Sequence, residues 1–217
     1  MKKRIVIPGE LVSEERKKVG PHVFVENGKI YSDSLGLIYN DSQDASVVAL
    51  HGKYVPQRDD LIIGVVVQET FGGYIVDINS FYFSFVSKEF IRDRLQRGSI
   101  ISAKIMSVNE INEAELGQVR FFFGGEIINI SPVKVPRVIG KNASMMEALK
   151  LGTGANIMVG RNGRIWAKGG NTQLLAEAIK KIEAESHLSN LTNKIEAFLK
   201  EKNKGVKEGD LFEQEKR

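Results

Sequence analysis

The sequence predicts a multidomain chain that is built from β-strands in its first part and from mixed α and β structure in its last part. Up to residue 123 the apolar residues come in short runs separated by turn-forming residues, which is typical of small all-β modules. After Gly124-Gly125 they recur at helical spacing, for instance at Leu175, Ile179 and Ile182. A chain of 217 residues has room for two or three such modules.

Composition argues against several classes of function. The chain has no cysteine, which excludes disulfides, thiol nucleophiles and cysteine-bound zinc. Its three histidines, His22, His51 and His187, lie far apart without a metal-binding spacing, so we expect no metal and no cofactor. No apolar run approaches the length of a membrane span, and the basic residues 1–4 precede too short an apolar stretch for a signal peptide. We therefore expect a soluble, cytoplasmic protein that does not bind membranes.

Residues 1–57 are predicted to form a small β domain. Asn27-Gly28 lies between the apolar pairs Phe24-Val25 and Ile30-Tyr31, and this dipeptide favours a two-residue hairpin turn. The segment shows no pattern of catalytic residues.

Residues 58–125 are predicted to form a five-stranded barrel, because five short apolar runs alternate with bends that contain glycine. The runs cover residues 61–67, 74–78, 81–86, 100–105 and 119–123.

Residues 126–200 are predicted to follow the order strand, helix, loop, helix, strand, strand, helix. Ser131-Pro132 is a favourable helix start, and the longest helix should cover about residues 172–186, followed by a short amphipathic helix. Residues 201–217 are mostly charged, and we expect them to form a disordered tail.

Two segments of four residues stand out in this last module. The first, Gly140-Lys141-Asn142-Ala143, precedes Ser144 and Glu147, whose S-x-x-E spacing is that of a capping box. We therefore expect a helix to begin at Ser144 and to direct its free N–H groups at the tetrad. Such a helix start attracts anions and Lys141 adds a positive charge, so the segment is suited to hold a nucleic-acid backbone.

The second segment, Gly160-Arg161-Asn162-Gly163, lies between two apolar runs that are predicted to be strands. Asn162-Gly163 favours a two-residue type I′ turn with both residues at positive φ, so we interpret this segment as a structural hairpin. That register places Arg161 opposite Arg164 and Val159 opposite Trp166. Because like charges repel across strands, a carboxylate or another anion should lie nearby, and we expect Trp166 to be a core residue.

Charge is distributed unevenly along the chain. Residues 131–170 contain seven basic residues and one acidic residue, whereas residues 58–120 contain seven basic and nine acidic residues. A basic field suits a polyanion, although a solvated basic face is an equally good interpretation of charge alone.

Several motifs together resemble a known family. Val138-Ile139 and the tetrad 140–143 resemble a type I KH domain, and Phe71-Gly72-Gly73-Tyr74-x-Val76-Asp77-Ile78 resembles an S1 domain, an RNA-binding barrel of the OB class. With Ile7-Pro8-Gly9-Glu10, the run 130–137 and Val159-Gly160-x-Asn162-Gly163-Arg164-Ile165-Trp166, residues 4–200 resemble the archaeal exosome cap subunits of the ribosomal RNA-processing protein 4 type.

The resemblance implies a non-catalytic subunit that binds single-stranded RNA. It would form a trimeric cap, alone or mixed with another S1 subunit, on a phosphorolytic ring of RNase PH-like proteins. The N-terminal domain would hold the ring, and the S1 and KH surfaces would gather RNA for threading into the chamber. The hairpin of Gly160, Asn162, Gly163 and Trp166 would pack against the S1 domain.

The implied RNA-binding residues are Gly140, Lys141, Asn142, Ala143, Arg137, Phe71, Tyr74, Arg92, Arg94 and Arg97. Phe71 and Tyr74 match stacking positions, although either ring is also suited to a core. The three arginines of 92–97 alternate with other polar residues, so a solvated surface is an equally good interpretation for each.

The chain departs from the family pattern at three places. Ala143 stands where glycine is usual, residues 84–87 lack the histidine of many S1 domains, and Glu110, Glu113 and Glu115 form an edge that would repel RNA.

Two other functions remain open at this point: a free-standing S1/KH RNA-binding protein and a transcription antitermination factor. Antitermination factors carry two KH copies, and one fits here. An enzyme is disfavoured, because polynucleotide phosphorylases have KH before S1 and no compact acidic metal cluster is visible.

Overall fold

The computed structural model describes residues 4–50, 52–91, 94–186, 188 and 190–214, with the backbone alone from residue 204 onward. The chain divides into two compact units after Gly52. Within the described residues, no helix has the length and apolarity needed to cross a bilayer.

The first unit consists of two small, mainly antiparallel sheets around a core that includes Val6, Ile30 and Val47. One sheet has the order β1-β6-β7-β3 and the other β2-β5-β4. The strands are β1 Ile5–Val6, β2 Leu11–Ser13, β3 Lys18–Val19, β4 Val23–Glu26, β5 Lys29–Ser32, β6 Gly36–Asn40 and β7 Asp44–Ala49.

The predicted hairpin at Asn27-Gly28 is confirmed. Glu26 pairs with Lys29, so the loop has two residues, and Asn27 and Gly28 adopt φ values of 50° and 80° as a type I′ turn requires.

The second unit starts five residues before the predicted boundary at 57, because residues 53–57 pack with the barrel. Tyr54 is buried in the barrel core, forms a bridge with Ser80 and donates a hydrogen bond to Asp60 at 2.6 Å. Burial and this hydrogen bond raise the pKa of the Tyr54 phenol far above its usual range.

The predicted five-stranded barrel is confirmed as a closed barrel with the order β10-β12-β11-β8-β9. Its strands are β8 Leu61–Glu69, β9 Gly73–Asp77, β10 Ser84–Ser87, β11 Ile100–Val108 and β12 Ala114–Phe122. Alternate residues such as Ile101, Ala103 and Ile105 are fully buried inside it, so their neighbours Ser102 and Lys104 belong to its outer face, where Ser102 is also buried.

The C-terminal module has the KH element order that the sequence predicts. A sheet of order β13-β15-β14 carries helices on one face, where Ile157, Val159 and Ile165 join the helical residues in one core. The elements are β13 Glu126–Asn129, α1 Val135–Ile139, α2 Ser144–Thr153, β14 Asn156–Val159, β15 Arg164–Lys168 and α3 Thr172–Ala184.

A last helix, α4 Leu191–Gln214, replaces the short helix and most of the disordered tail expected from the sequence. Its first turns bury Leu191, Ile195 and Leu199 in the KH core. Once these turns are fixed, each further residue adds a helical hydrogen bond at little cost, so the Lys- and Glu-rich segment 201–214 continues the helix. The prediction for residues 215–217 lies outside the described residues.

Candidate nucleic-acid interface

The Gly160–Gly163 segment is a hairpin turn, as predicted, but its geometry differs from the prediction. Val159 pairs with Ile165, and the next residue along, Gly160, donates its N–H to the Arg164 carbonyl at 2.8 Å. Residues 161–163 therefore form a three-residue loop rather than a two-residue one, and Met158 pairs with Trp166. Gly163 has a φ of 78°, whereas Asn162 does not have positive φ. The predicted pairs Arg161–Arg164 and Val159–Trp166 are therefore wrong.

The reason is the side chain of Asn162, which is fully buried against the barrel. Its Nδ2 donates to the carbonyl oxygens of Ile63 at 2.7 Å and of Ile78 at 2.8 Å, and its Oδ1 accepts from the Ile63 N–H at 3.2 Å. Asn79 Nδ2 donates back to the Asn162 carbonyl at 2.9 Å. One amide thus satisfies backbone groups of the barrel that would otherwise be buried without a partner.

The two glycines of the hairpin permit two different close approaches, Gly160 to the barrel and Gly163 to the KH segment that follows β13. A Cβ on Gly160 would lie 2.8 Å from the Ile63 nitrogen, and one on Gly163 would lie 2.4 Å from the Ile130 carbonyl oxygen. Only glycine permits these approaches, and Gly163 also needs its positive φ.

The expectation of carboxylates near the two arginines is met, although the arginines do not face each other. Arg164 donates to the backbone and carboxylate of Asp77, with Nη2 to Oδ2 at 2.7 Å, and Arg161 Nε lies 3.6 Å from Asp60 Oδ1. Partial burial alone would raise the pKa of Asp77, but the hydrogen bonds from Arg164 and from the Asn79 N–H hold it below its usual range.

Trp166 is half-buried rather than fully in the core. Its indole stacks on Phe122 of the barrel, with ring centroids 4.2 Å apart and planes at 14°, and its Nε1 donates to the Gly124 carbonyl at 2.8 Å. The Trp166 ring therefore packs between the barrel and the KH sheet.

The tetrad 140–143 forms the exposed loop between α1 and α2. Three of its residues have positive φ: Gly140 at 74°, Asn142 at 51° and Ala143 at 62°. Lys141 and Asn142 are exposed, and Arg137 is exposed on the preceding helix. This arrangement leaves a basic, solvent-facing loop at a helix start.

Helix α2 begins at Ser144 as predicted, but the expected capping box is absent. Ser144 already has helical φ and ψ, and the cap position belongs to Ala143, which offers no side-chain acceptor. The N–H groups of the first turn therefore have no side-chain partner, which favours binding of an external anion such as a phosphate.

On the barrel, one predicted stacking residue is exposed and the other is not. Phe71 is fully exposed at 101% of its reference area, whereas Tyr74 is 2% exposed and belongs to the barrel core. The Tyr74 hydroxyl accepts a hydrogen bond from the Leu95 N–H at 3.3 Å. The stacking role predicted for Tyr74 is therefore wrong, because its strand position points inward.

Phe85 is a candidate that the sequence reasoning missed. It is 41% exposed on the outer face of β10, and its ring lies so close to Gly73 that a Cβ there would be 2.6 Å from its Cζ. The adjacent pair Gly72-Gly73, which leaves room for a large ring on the neighbouring strand, is the signal that could have indicated it.

The basic residues near this face differ in their surroundings. Arg92 lies outside the described residues. Arg94 is exposed and its Nη2 lies 3.2 Å from Glu69, which also binds Lys88 at 3.0 Å, and these hydrogen bonds lower the Glu69 pKa. Arg97 is exposed in a turn before β11.

Acidic side chains border the same face, as the sequence suggests. Glu115 pairs in parallel register with Phe85 and accepts a hydrogen bond from Ser107 at 3.0 Å.

Among the described residues, no group of three or more potential metal ligands is present.

The chain is similar to known proteins over nearly its whole length. Residues 3–51 match the family described as exosome RNA binding protein RRP4 N-terminal domain, and residues 125–173 match a KH domain family. The chain is 38% identical to the exosome complex component Rrp4 of Methanosarcina barkeri, covering 96% of this chain and 86% of that protein. It is 33% identical to the same component of Thermococcus kodakarensis, covering 98% and 91%.

A solved structure described as an exosome complex RNA-binding protein superposes with a TM-score of 0.64 at 33% identity, over 70% of this chain and 98% of that one.

Proposed function

Since the chain belongs to the Rrp4 family of exosome complex components, we propose that it is an RNA-binding cap subunit of an exosome with no catalytic activity of its own. It would bind single-stranded RNA and deliver it to a phosphorolytic 3′–5′ exoribonuclease ring of RNase PH-like subunits. Three copies, or copies mixed with another S1 subunit, would form the cap.

The observation that carries the proposal is the exposed tetrad at the uncapped start of α2. N–H groups that no side chain caps, the positive end of the helix and the exposed Lys141 belong to one loop of a KH fold. These groups recognise phosphate without reading a base sequence, as a subunit that feeds varied RNAs requires.

The barrel supports the same function through exposed rings. Phe71 and Phe85 lie on or beside the paired strands β9 and β10, and this strand pair corresponds to the face with which OB-class barrels bind oligonucleotides. Base stacking on such rings contributes about 1–3 kcal/mol per base and tolerates any sequence. The hairpin hydrogen bonds of Asn162 hold this barrel against the KH module, so that one strand of RNA can engage both.

The test measures binding of a fluorescent oligo(A) to the purified chain by anisotropy. Lys141→Glu should weaken binding about fivefold or more without lowering thermal stability, because it reverses a charge beside the phosphate path. The control Lys180→Glu makes the same charge change on the exposed side of α3 and should leave affinity within about twofold. Equal affinities of the wild type and Lys141→Glu would show that the tetrad is not the RNA site.

A parallel incubation of labelled RNA with the pure chain, phosphate and Mg²⁺ tests the absence of catalysis. We expect full-length RNA to persist. Phosphate-dependent shortening by the pure chain would contradict the proposed role.

A further inference from the structure

A cleft of about 300 Å³ lies between the outer face of the barrel and strand β14 of the KH sheet. It is separate from the tetrad, which lies between the helices α1 and α2, and from Phe71 and Phe85, which belong to the β9–β10 side of the barrel. Its floor comes from β8, β11 and β12, and Met158 of β14 forms its wall.

The floor is shaped by an irregularity in β12. Ser102 pairs with Arg120 and Lys104 with Gly117, so the register shifts between these pairs and Gln118 lies in a bulge with a φ of 50°. The bulge leaves both Gln118 and Arg120 lining the cleft. Bulges often redirect side chains beside binding sites, and positive φ in a non-glycine residue is a cost that the surrounding structure must offset.

The charges in the cleft leave one cation without a partner. Lys104 Nζ lies 2.8 Å from Asp59 Oδ1, so these two charges compensate each other. The hydrogen bond from Lys104 and the positive charge of its ammonium lower the pKa of the Asp59 carboxyl. Arg120 is exposed, and it makes no ion pair or side-chain hydrogen bond with any residue that the structure describes. The cleft therefore presents a net positive charge at its β12 side.

On the side of the cleft away from Arg120, two apolar side chains, Leu61 and Met158, form a surface on which an aromatic ring can lie. Leu61 is 40% exposed on β8, and Met158 is half-buried on β14. Methionine sulfur makes favourable contacts with aromatic rings. Gln118 is exposed on the β12 side, and its amide can donate or accept hydrogen bonds, whereas Ser102 lines the cleft but is buried.

We propose that this cleft binds one nucleotide unit, with its phosphate at Arg120 and its base against Leu61 and Met158. The volume is at the lower end of the range of about 300–1,000 Å³ for small-ligand sites, which suits a single nucleotide. The inference rests on the proposed function and extends it: RNA held at the tetrad and on β9–β10 would have a third contact on another side of the barrel. The nucleotide is either part of an RNA chain or free, since both have the same chemistry.

The test uses the full chain labelled with ¹³C in its methionine methyl groups, of which the sequence has five. The Met158 signal is assigned from its loss in Met158→Leu, and Met145, buried in the KH core, reports any change of fold. AMP and a short oligo(A) are titrated separately. We expect a saturable shift of the Met158 methyl with at least one of them.

Variants then decide whether the cleft is responsible. Arg120→Glu should weaken the interaction reported by Met158 about tenfold or more, because it removes the unpaired cation, and Arg120→Gln should weaken it less. Lys180→Glu should retain it. A shift with AMP alone identifies a site for free nucleotides, and a shift with oligo(A) alone identifies an RNA subsite; either supports the proposal.

The proposal is overturned if Met158 does not shift while the chain still binds oligo(A) by anisotropy, or if its shift is unchanged in Arg120→Glu. Failure of the wild-type chain to bind oligo(A) at all would instead contradict the proposed function, so the two failures are distinguishable.

Discussion

At the scale of single residues, Asn162 has the clearest structural role. Its amide makes three hydrogen bonds to backbone groups of the barrel, all of them buried. Asn162→Ala should lower the free energy of unfolding by about 3 kcal/mol, because it leaves those groups unsatisfied. Urea unfolding followed by the fluorescence of the single tryptophan, Trp166, measures the change.

Asn156→Ala is the matched control for that measurement. Asn156 is exposed at the start of β14 and its side chain makes no hydrogen bond to the described residues, so the change should stay within about 0.5 kcal/mol. If Asn162→Ala were as stable as Asn156→Ala but had lost RNA binding, the hairpin would be a binding site and not a structural contact.

Ala143 gives a prediction of the opposite sign. Its φ of 62° is unfavourable for a residue with a Cβ, so Ala143→Gly should stabilise the chain by about 0.5–1 kcal/mol. The same substitution at Ala176, inside helix α3, should destabilise it by about 1 kcal/mol. Thermal melts of both variants make the comparison, and a destabilised Ala143→Gly would show that the loop does not hold this conformation.

The Asp77–Arg164 pair predicts a dependence of stability on pH. The pKa of Asp77 is lowered in the folded state, so its contribution is complete above the ordinary pKa of 3.8 and is lost as the pH falls through the folded value. Asp77→Asn should therefore cost roughly 1 kcal/mol at pH 7, a modest amount because the carboxylate is partly exposed, and progressively less below pH ~4. Urea unfolding of both proteins at several pH values tests this, and a constant difference would refute it.

At the scale of elements, the two Asn-Gly dipeptides show what local sequence can and cannot predict. Asn27-Gly28 forms the predicted two-residue turn, since its strands alone determine the geometry. Asn162-Gly163 forms a different turn because the barrel's backbone groups bind the Asn162 side chain, and those groups are 84 and 99 residues away in sequence. Sequence patterns identified both hairpins, but a distant partner determined the second turn type.

Inward and outward positions were harder to predict than the strands themselves. Apolar spacing predicts the five barrel runs, yet the sequence leaves Tyr74 open between a stacking position and the core and gives no role to Phe85. Both assignments depend on which alternate residues face the closed barrel, and that depends on pairing between β9 and β10.

Helix α4 gives a testable element-scale prediction. Leu199 is 1% exposed and its Cδ1 packs so closely on Gly152 that a Cβ there would be 2.6 Å away. Leu199→Ala should cost about 3 kcal/mol, whereas Leu151→Ala, 87% exposed on the adjacent helix α2, should change stability by less than about 0.5 kcal/mol. Equal melting temperatures of the two variants would show that α4 is not part of the KH core.

At the scale of the whole molecule, the order of modules was predictable and the contact between barrel and KH sheet was only partly so. Each module has its own periodicity, so the order could be derived from local patterns and from the resemblance of their motifs. The cleft at Arg120 and the stacking of Trp166 on Phe122 arise only when two modules pack together, and no local pattern encodes them.

The most direct test of the central claim is purification of the chain from a native extract of its source, with phosphorolytic activity measured in the recovered complex. We expect RNase PH-like subunits to co-purify, and the complex to degrade oligo(A) in the presence of phosphate while the isolated chain only binds it. Recovery of the chain without such subunits, or phosphate-dependent degradation by the isolated chain, would contradict the account.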